Sequence, residues 1–219
     1  MEEIHPRWHE ATKELIEQLE ERGADINKLK ALELFGRKAD WHTVLFYKKI
    51  KSLEVWEINQ NYEEDLKKNL PNAIIKIQDS IETLKESNNL PKFDLILIDN
   101  PMNMFGYIDK KNNEKKYCEH FDVIEHIGKI IDNNAILIFN VNRMPFNYTD
   151  NNEWRLKREK FYNIKNTNEI SINFLFDFYK KKFETQGFQT EFVFNIPRVF
   201  YKNNDMTHYF VFKIKKMLN

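Results

Sequence analysis

"FDLILIDNP", residues 93–101, carries four consecutive aliphatic side chains between Asp94 and Asp99 and closes on Pro101. A strand with one face in water alternates apolar and polar residues. An unbroken apolar run leaves neither face for water, so it reads as a strand covered on both sides, the habit of parallel sheets packed between helices. The acid-Asn-Pro ending marks where the strand gives way to a turn.

The segments around it have the same rhythm. "KALELF" (30–35) is a short apolar strand that empties into Gly36, and "SLEVWEIN" (52–59) is a second strand ending near Glu57. "NAIIKIQD" (72–79) is a third, ending at Asp79, and "NAILIFNVN" (134–142) is a fifth. Helical stretches separate them. One is expected from an Asp40 N-cap to about Tyr47, one over "YEEDLKKNL" (62–70), one over "SIETLKES" (80–87) and one from Tyr117 to Ile131. Strands alternating with helices imply right-handed crossovers and a doubly wound sheet. The tail departs from this. After an amphipathic helix at 171–186, "FQTEFVFNIP" (188–197) and "THYFVFKIKK" (207–216) alternate around the turn-rich "YKNNDM" and form a hairpin. The expected class is therefore α/β: a mostly parallel sheet ending in an antiparallel hairpin. An N-terminal helix, Pro6 to Arg22, stops at Gly23, and residues 1–30 read as an extension to a domain spanning 31–219.

Composition narrows the function. The 219 residues are 42% hydrophobic and include 18 Phe, enough for one substantial core. Lys plus Arg equals Asp plus Glu at 34 each, which argues against strong non-specific nucleic-acid binding. One cysteine, Cys118, excludes an intrachain disulfide and a thiolate zinc cluster. No apolar run reaches the roughly 18 residues that span a bilayer. "MEEIHPRWHE" has no signal-peptide character, so a soluble cytoplasmic protein is the expectation.

In an open parallel sheet the ligand sits beyond the carboxyl ends of the strands. The residues there are Glu33 to Arg37, Glu57, Asp79, Asp99 to Phe105, and Asn140 to Pro145. Acids dominate, which suits hydroxyls, an amine or a positive centre rather than a phosphate. The first turn lacks the three-glycine dinucleotide fingerprint, and no triphosphate loop is present. Each acid also has a plain structural reading, above all Asp79 as the N-cap of the helix that follows. Trp41 and His42 either wall such a site or pack into the core.

The series "ELFG" (Glu33, Gly36), "VWEIN" (Glu57), "IQDS" (Asp79) and "LIDNP" (Asp99, Asn100, Pro101) resembles the class I S-adenosylmethionine-dependent methyltransferases over residues 30–219. Glu57 lies 21 residues beyond Gly36, as one strand-turn-helix-strand unit requires. The resemblance implies a seven-stranded Rossmann-like sheet and S-adenosyl-L-methionine as cofactor. It implies Glu33, Phe35 and Gly36 around the methionine end, Glu57 and Ile58 at the ribose and adenine, and Asp79 and Ser80 at the adenine amino group. Asp99, Asn100 and Pro101 fall beside the transferred methyl. The sequence departs from the family where Arg37, Lys38 and Ala39 occupy places of further glycines. "DNPM" (99–102) is similar to the Asn/Asp-Pro-Pro-aromatic motif of amino-methylating relatives, with one Pro missing and Met102 for the aromatic.

Two further stretches complete the reading. In "KKYCEHFDVIEH" (115–126), His120 and Asp122 point away from each other on a helix, so no metal site is expected. "WRLKREKFY" (154–162) interleaves cations and aromatics inside a segment, 146–170, placed where the family carries acceptor lids. It is either a solvated helix face or, over 154–165, a surface for nucleic acid. The acceptor is not named by the sequence. An aminopropyl-transferring relative and a non-catalytic interaction module are the alternatives to a methyltransferase.

Overall fold

The computed structural model of the chain describes residues 6–40, 42–99, 107–109, 114–116, 120–144, 152–198 and 206–217. Seven strands form one sheet in the order β3-β2-β1-β4-β7-β9-β8. They are β1 (Lys30–Leu34), β2 (Ser52–Glu57), β3 (Ile74–Ile77), β4 (Leu95–Ile98), β7 (Asn134–Asn142), β8 (Phe188–Pro197) and β9 (Thr207–Lys216). Neighbours pair in parallel from β3 to β7, and β9 runs antiparallel to both β7 and β8. Six strands thus share one direction and β9 opposes them. A separate two-stranded ribbon joins β5 (Tyr107–Asp109) and β6 (Glu114–Lys116), which the sequence reading did not anticipate.

The period-two pleat sorts side chains to two faces. Leu32, Leu34, Ile96, Ile98, Leu137, Phe139, Phe210 and Phe212 belong to one buried cluster. It is completed by α4 (Ser80–Glu86), α5 (Phe121–Ile124) and α7 (Ile172–Thr185). Ala31, Leu95, Leu97, Ile136, Ile138, Tyr209 and Val211 belong to the other, with α1 (Pro6–Glu21), α2 (Thr43–Phe46) and α3 (Glu63–Asn69). Alternation puts Glu33 and Asp99 on this second face, under α1 and α2. Helix α1 is seated by Ala11, Leu15, Ile16 and Leu19, all in the same core as the strands, and Gly23 turns the chain away at φ +81.

Two helical expectations change. Asp40 caps nothing: the helix that follows begins at Thr43, with His42 at its N-cap position. Ala39, at φ +52, still belongs to the turn, and His42 and Thr43 are drawn toward Glu33. The helix expected over 117–131 is, among the described residues, the single turn of α5 and a 3-10 turn at Ile127–Ile130. Gly128 in this second piece packs closely on β8, where a Cβ would stand 3.3 Å from the Phe188 ring. The remaining helices fall close to expectation. Ser171 caps α7 by accepting from the Phe174 N–H at 3.2 Å, and Leu175, Tyr179 and Phe183 form its buried stripe.

Candidate functional site

The chain leaves β1 outward to β2 and β3, then returns so that β4 lies on β1's other side. That reversal is the switch point where doubly wound sheets bind ligands. A shallow cleft opens there, lined by Glu33, Phe35, Gly36, Arg37, Ala39, Asp40, His42, Thr43 and Asp99. Phe35, Gly36, Glu33 and Asp99 therefore meet at one place. Asn100 and Pro101 lie outside the described residues, as does Trp41.

The turn after β1 has an unusual backbone. Phe35, Arg37 and Ala39 all sit in the left-handed region, at φ +65, +48 and +52. Such geometry favours glycine, and each side-chain-bearing residue there is strained by about 1–2 kcal/mol. Gly36 is not left-handed; its constraint is packing. A Cβ on Gly36 would lie 2.1 Å from Val55 Cγ1, so the turn presses directly onto β2. The Gly36 N–H donates to the Trp56 carbonyl at 3.0 Å and the Arg37 N–H to Glu57 Oε2 at 2.6 Å.

Glu57 is thus both a strand-end acid and a clasp. Its other oxygen accepts the Asn59 N–H at 2.7 Å. The Ile58 N–H also bears on this carboxylate, and with about four acceptor sites it keeps capacity for a further donor. Burial raises the Glu57 carboxyl, and the N–H groups of Asn59 and Arg37 pull it back. Ile58 beside it is 56% exposed, an apolar surface at the edge of the site. Asp79 caps α4: Oδ1 accepts from the Ile81 and Glu82 N–H groups at 2.8 and 3.0 Å. Ser80 is buried in the first turn of that helix.

A buried polar chain forms the cleft floor. Glu33 accepts from the Thr43 hydroxyl at 2.5 Å and lies 3.0 Å from His42 Nε2. His42 Nδ1 lies 3.0 Å from Asp99 Oδ2. Asp99 also accepts from Tyr209 Oη at 3.0 Å and pairs with the Arg198 guanidinium. Burial alone would depress the His42 imidazole, but Glu33 and Asp99 outweigh it and hold it up at about 9. Burial works to raise the Asp99 carboxyl; Arg198 and His42 overcome it and hold it below the usual range. Two carboxylates, an imidazolium and a guanidinium leave the chain neutral, the condition for burying charge. Sequence reasoning placed Glu33 and Asp99 at strand ends and left His42 as either a wall of the site or a core residue. It missed Arg198 and Tyr209, which arrive from the terminal hairpin with no local signal.

On the opposite face, α6 (Asn152–Tyr162) turns part of its basic-aromatic stretch inward. Trp154, Arg158 and Tyr162 are buried. The Arg158 guanidinium lies 5.6 Å from the Trp154 ring and donates to the Asn142 carbonyl at 2.8 Å. Lys160 and Lys165 remain exposed. His120 contacts Tyr179 Oη, which meets Tyr162 Oη at 2.9 Å. Among the described residues no group of acids, histidines or cysteines could hold a metal, and no helix is long and apolar enough to cross a membrane.

No protein-family model and no curated protein matches the sequence. Solved structures do. The N-methyltransferase NodS from Bradyrhizobium japonicum WM9 is similar at a TM-score of 0.56 and 11% identity, over 98% of each chain. Magnesium protoporphyrin IX methyltransferase (ChlM) from Synechocystis PCC 6803, with S-adenosylhomocysteine bound, is similar at 0.58 and 10% identity, over 96% of this chain and 83% of that one. A putative S-adenosylmethionine-dependent methyltransferase from Streptococcus mutans gives 0.58 at 15%, over 97% of this chain and 49% of that one. The chain has the class I methyltransferase fold.

Proposed function

We propose that the protein is an S-adenosylmethionine-dependent methyltransferase. The observation that carries this is the pair of strand-end acids, Glu33 and Asp99, in the switch-point cleft of this fold, with Glu57 bonded to the N–H of Arg37, which lines the same cleft. The residues fit the cofactor's chemistry. Glu57 keeps acceptor capacity for a ribose hydroxyl, Ile58 offers an apolar surface to a base, and Asp79 Oδ2 accepts no hydrogen bond among the described residues. Phe35, Gly36 and Ser80 complete the proposed cofactor side. S-adenosylmethionine supplies a methyl on a sulfonium that already leaves readily, so the protein's task is position and exclusion of water.

Asp99, Asn100 and Pro101 are the proposed acceptor end. Asp99 has its oxygens engaged by Arg198, Tyr209 and His42 and so acts by holding that end in shape. The segment 146–170 is the proposed lid, next to a main domain at 31–219 and an N-terminal extension at 1–30. Burial of Trp154, Arg158 and Tyr162 removes much of the surface that a nucleic acid would use, which favours a small-molecule acceptor. One observation favours a different reading, a non-catalytic module: side chains at Phe35, Arg37 and Ala39 stand where close approach to a cofactor calls for glycine.

Calorimetric titration with S-adenosylhomocysteine separates them. Micromolar binding, weakened at least about tenfold in Glu57→Ala, is expected from the loss of a charge-assisted hydrogen bond. Absence of binding at millimolar ligand would select the non-catalytic module.

A further inference from the structure

Glu33 and Asp99 end adjacent strands on the same face, both nearly inaccessible to water. Asp99 has two cationic partners, His42 and Arg198. Among the described residues Glu33 has one, the His42 ring, plus the neutral Thr43 hydroxyl. Yet Glu33 lines the open cleft, and so does His42. A ligand that brings a positive group to Glu33 therefore meets a carboxylate whose counter-charge is already supplied by the protein.

We propose that His42 is a resident counter-ion that a ligand ammonium replaces, so that cofactor binding expels one proton from the site. The inference rests on the cofactor reading above, since the α-ammonium of the methionine moiety is the group that makes the exchange. The balance is simple. The His42 imidazolium becomes neutral imidazole, its proton passes to solvent, and the incoming ammonium restores the charge opposite Glu33. Arg198 stays with Asp99 throughout, so the buried chain remains neutral before and after.

The surroundings of His42 allow this. From β1 it faces Glu33, from the end of β4 Asp99, and from β9 the edge of Tyr209 at 6.3 Å. From α2 it meets the Phe46 ring, stacked at 6.0 Å, and from α1 Thr12 and Leu15 line a small cavity beside it. Arg198 stands behind Asp99, and Arg37 and Asp40 line the same cleft. Tyr209 is held well above its ordinary range by burial, and Asp99 stays ionised. His42, held at about 9, begins fully charged. Once a second cation neutralises Glu33, the burial that already opposes its charge prevails.

Calorimetry of the full chain with S-adenosylhomocysteine at pH 7.5, repeated in buffers of different ionisation enthalpy, counts the protons. Release of about one proton per ligand is expected, and the dissociation constant should tighten about tenfold per pH unit between pH 6.5 and 8. His42→Gln should bind with no proton release and no pH slope. The wild-type measurement stands alone if that variant fails to fold. Binding without proton release would overturn the exchange while leaving the cofactor reading intact. No binding at millimolar ligand would overturn both.

Discussion

Arg198 shows how much of this site depends on single side chains. It neutralises Asp99 in a setting neither group could occupy alone, with Tyr209 donating to the same carboxylate and the guanidinium 5.1 Å from the Tyr209 ring. Removing one partner of a buried ion pair costs about 3–5 kcal/mol, because the charge left behind has no water to turn to. Arg198→Met is therefore expected to lose about that much in denaturant unfolding, and Asp99→Asn in the same chain should recover part of it. Full stability in the single variant would mean that Asp99 is held by other means. Gly36 is a second such position. Its Cβ would collide with Val55, so Gly36→Ala should cost about 1–3 kcal/mol by overpacking. Val55→Ala would then give some of the loss back, and the thermal midpoints of the single and double variants measure it.

At the scale of elements, the turn between β1 and α2 is where sequence and backbone pull apart. Three non-glycine residues hold left-handed conformations in five positions, clasped by Glu57 and the Trp56 carbonyl. Strain of this kind persists only where neighbours over-determine the backbone. Arg37→Gly keeps the N–H that Glu57 accepts and relieves one such residue. It should raise stability by about 1 kcal/mol in chemical denaturation, and unchanged or lower stability would argue against strain there. The strands themselves were legible. "LILI" and "NAILIFNVN" are apolar on both faces because both faces are buried, and the terminal segments alternate because they form a hairpin. Asp40 looked like a cap by residue type alone. What displaced it was the pull of Glu33 on His42 and Thr43, a tertiary contact that no local pattern encodes. The close fit of Gly128 to Phe188 on a distant strand is another such contact. Glu33, Glu57, Asp79 and Asp99 could be found because strand ends are predictable. Arg198 could not, since 99 residues separate it from its partner.

For the whole molecule, two of the buried histidines, His42 and His120, give stability opposite slopes in pH. His42 is raised from 6.5 to about 9, so its contribution is complete below pH 6.5 and is lost as pH rises through 9. The full span amounts to about 3 kcal/mol. His120 is lowered to about 3, first by burial and then by Arg158. The unfolded chain takes up its proton near 6.5 while the folded one resists, so stability falls as pH drops from 6.5 toward 3. A maximum near pH 6.5 is expected in urea unfolding across pH. His42→Gln should flatten the alkaline limb and leave the acid limb in place, and an unchanged alkaline limb would contradict the assignment. The cleft lies where β1 and β4 end, beside the end of β2, so location defines the site as much as affinity does. Backbone amide NMR during titration with S-adenosylhomocysteine tests it most directly. Shifts are expected to concentrate at residues 33–43, 57–58, 79–80 and 99, with α6 and the β8–β9 hairpin far from Arg198 unaffected. Saturating ligand that moves none of those amides, or moves only those of α6, would contradict it.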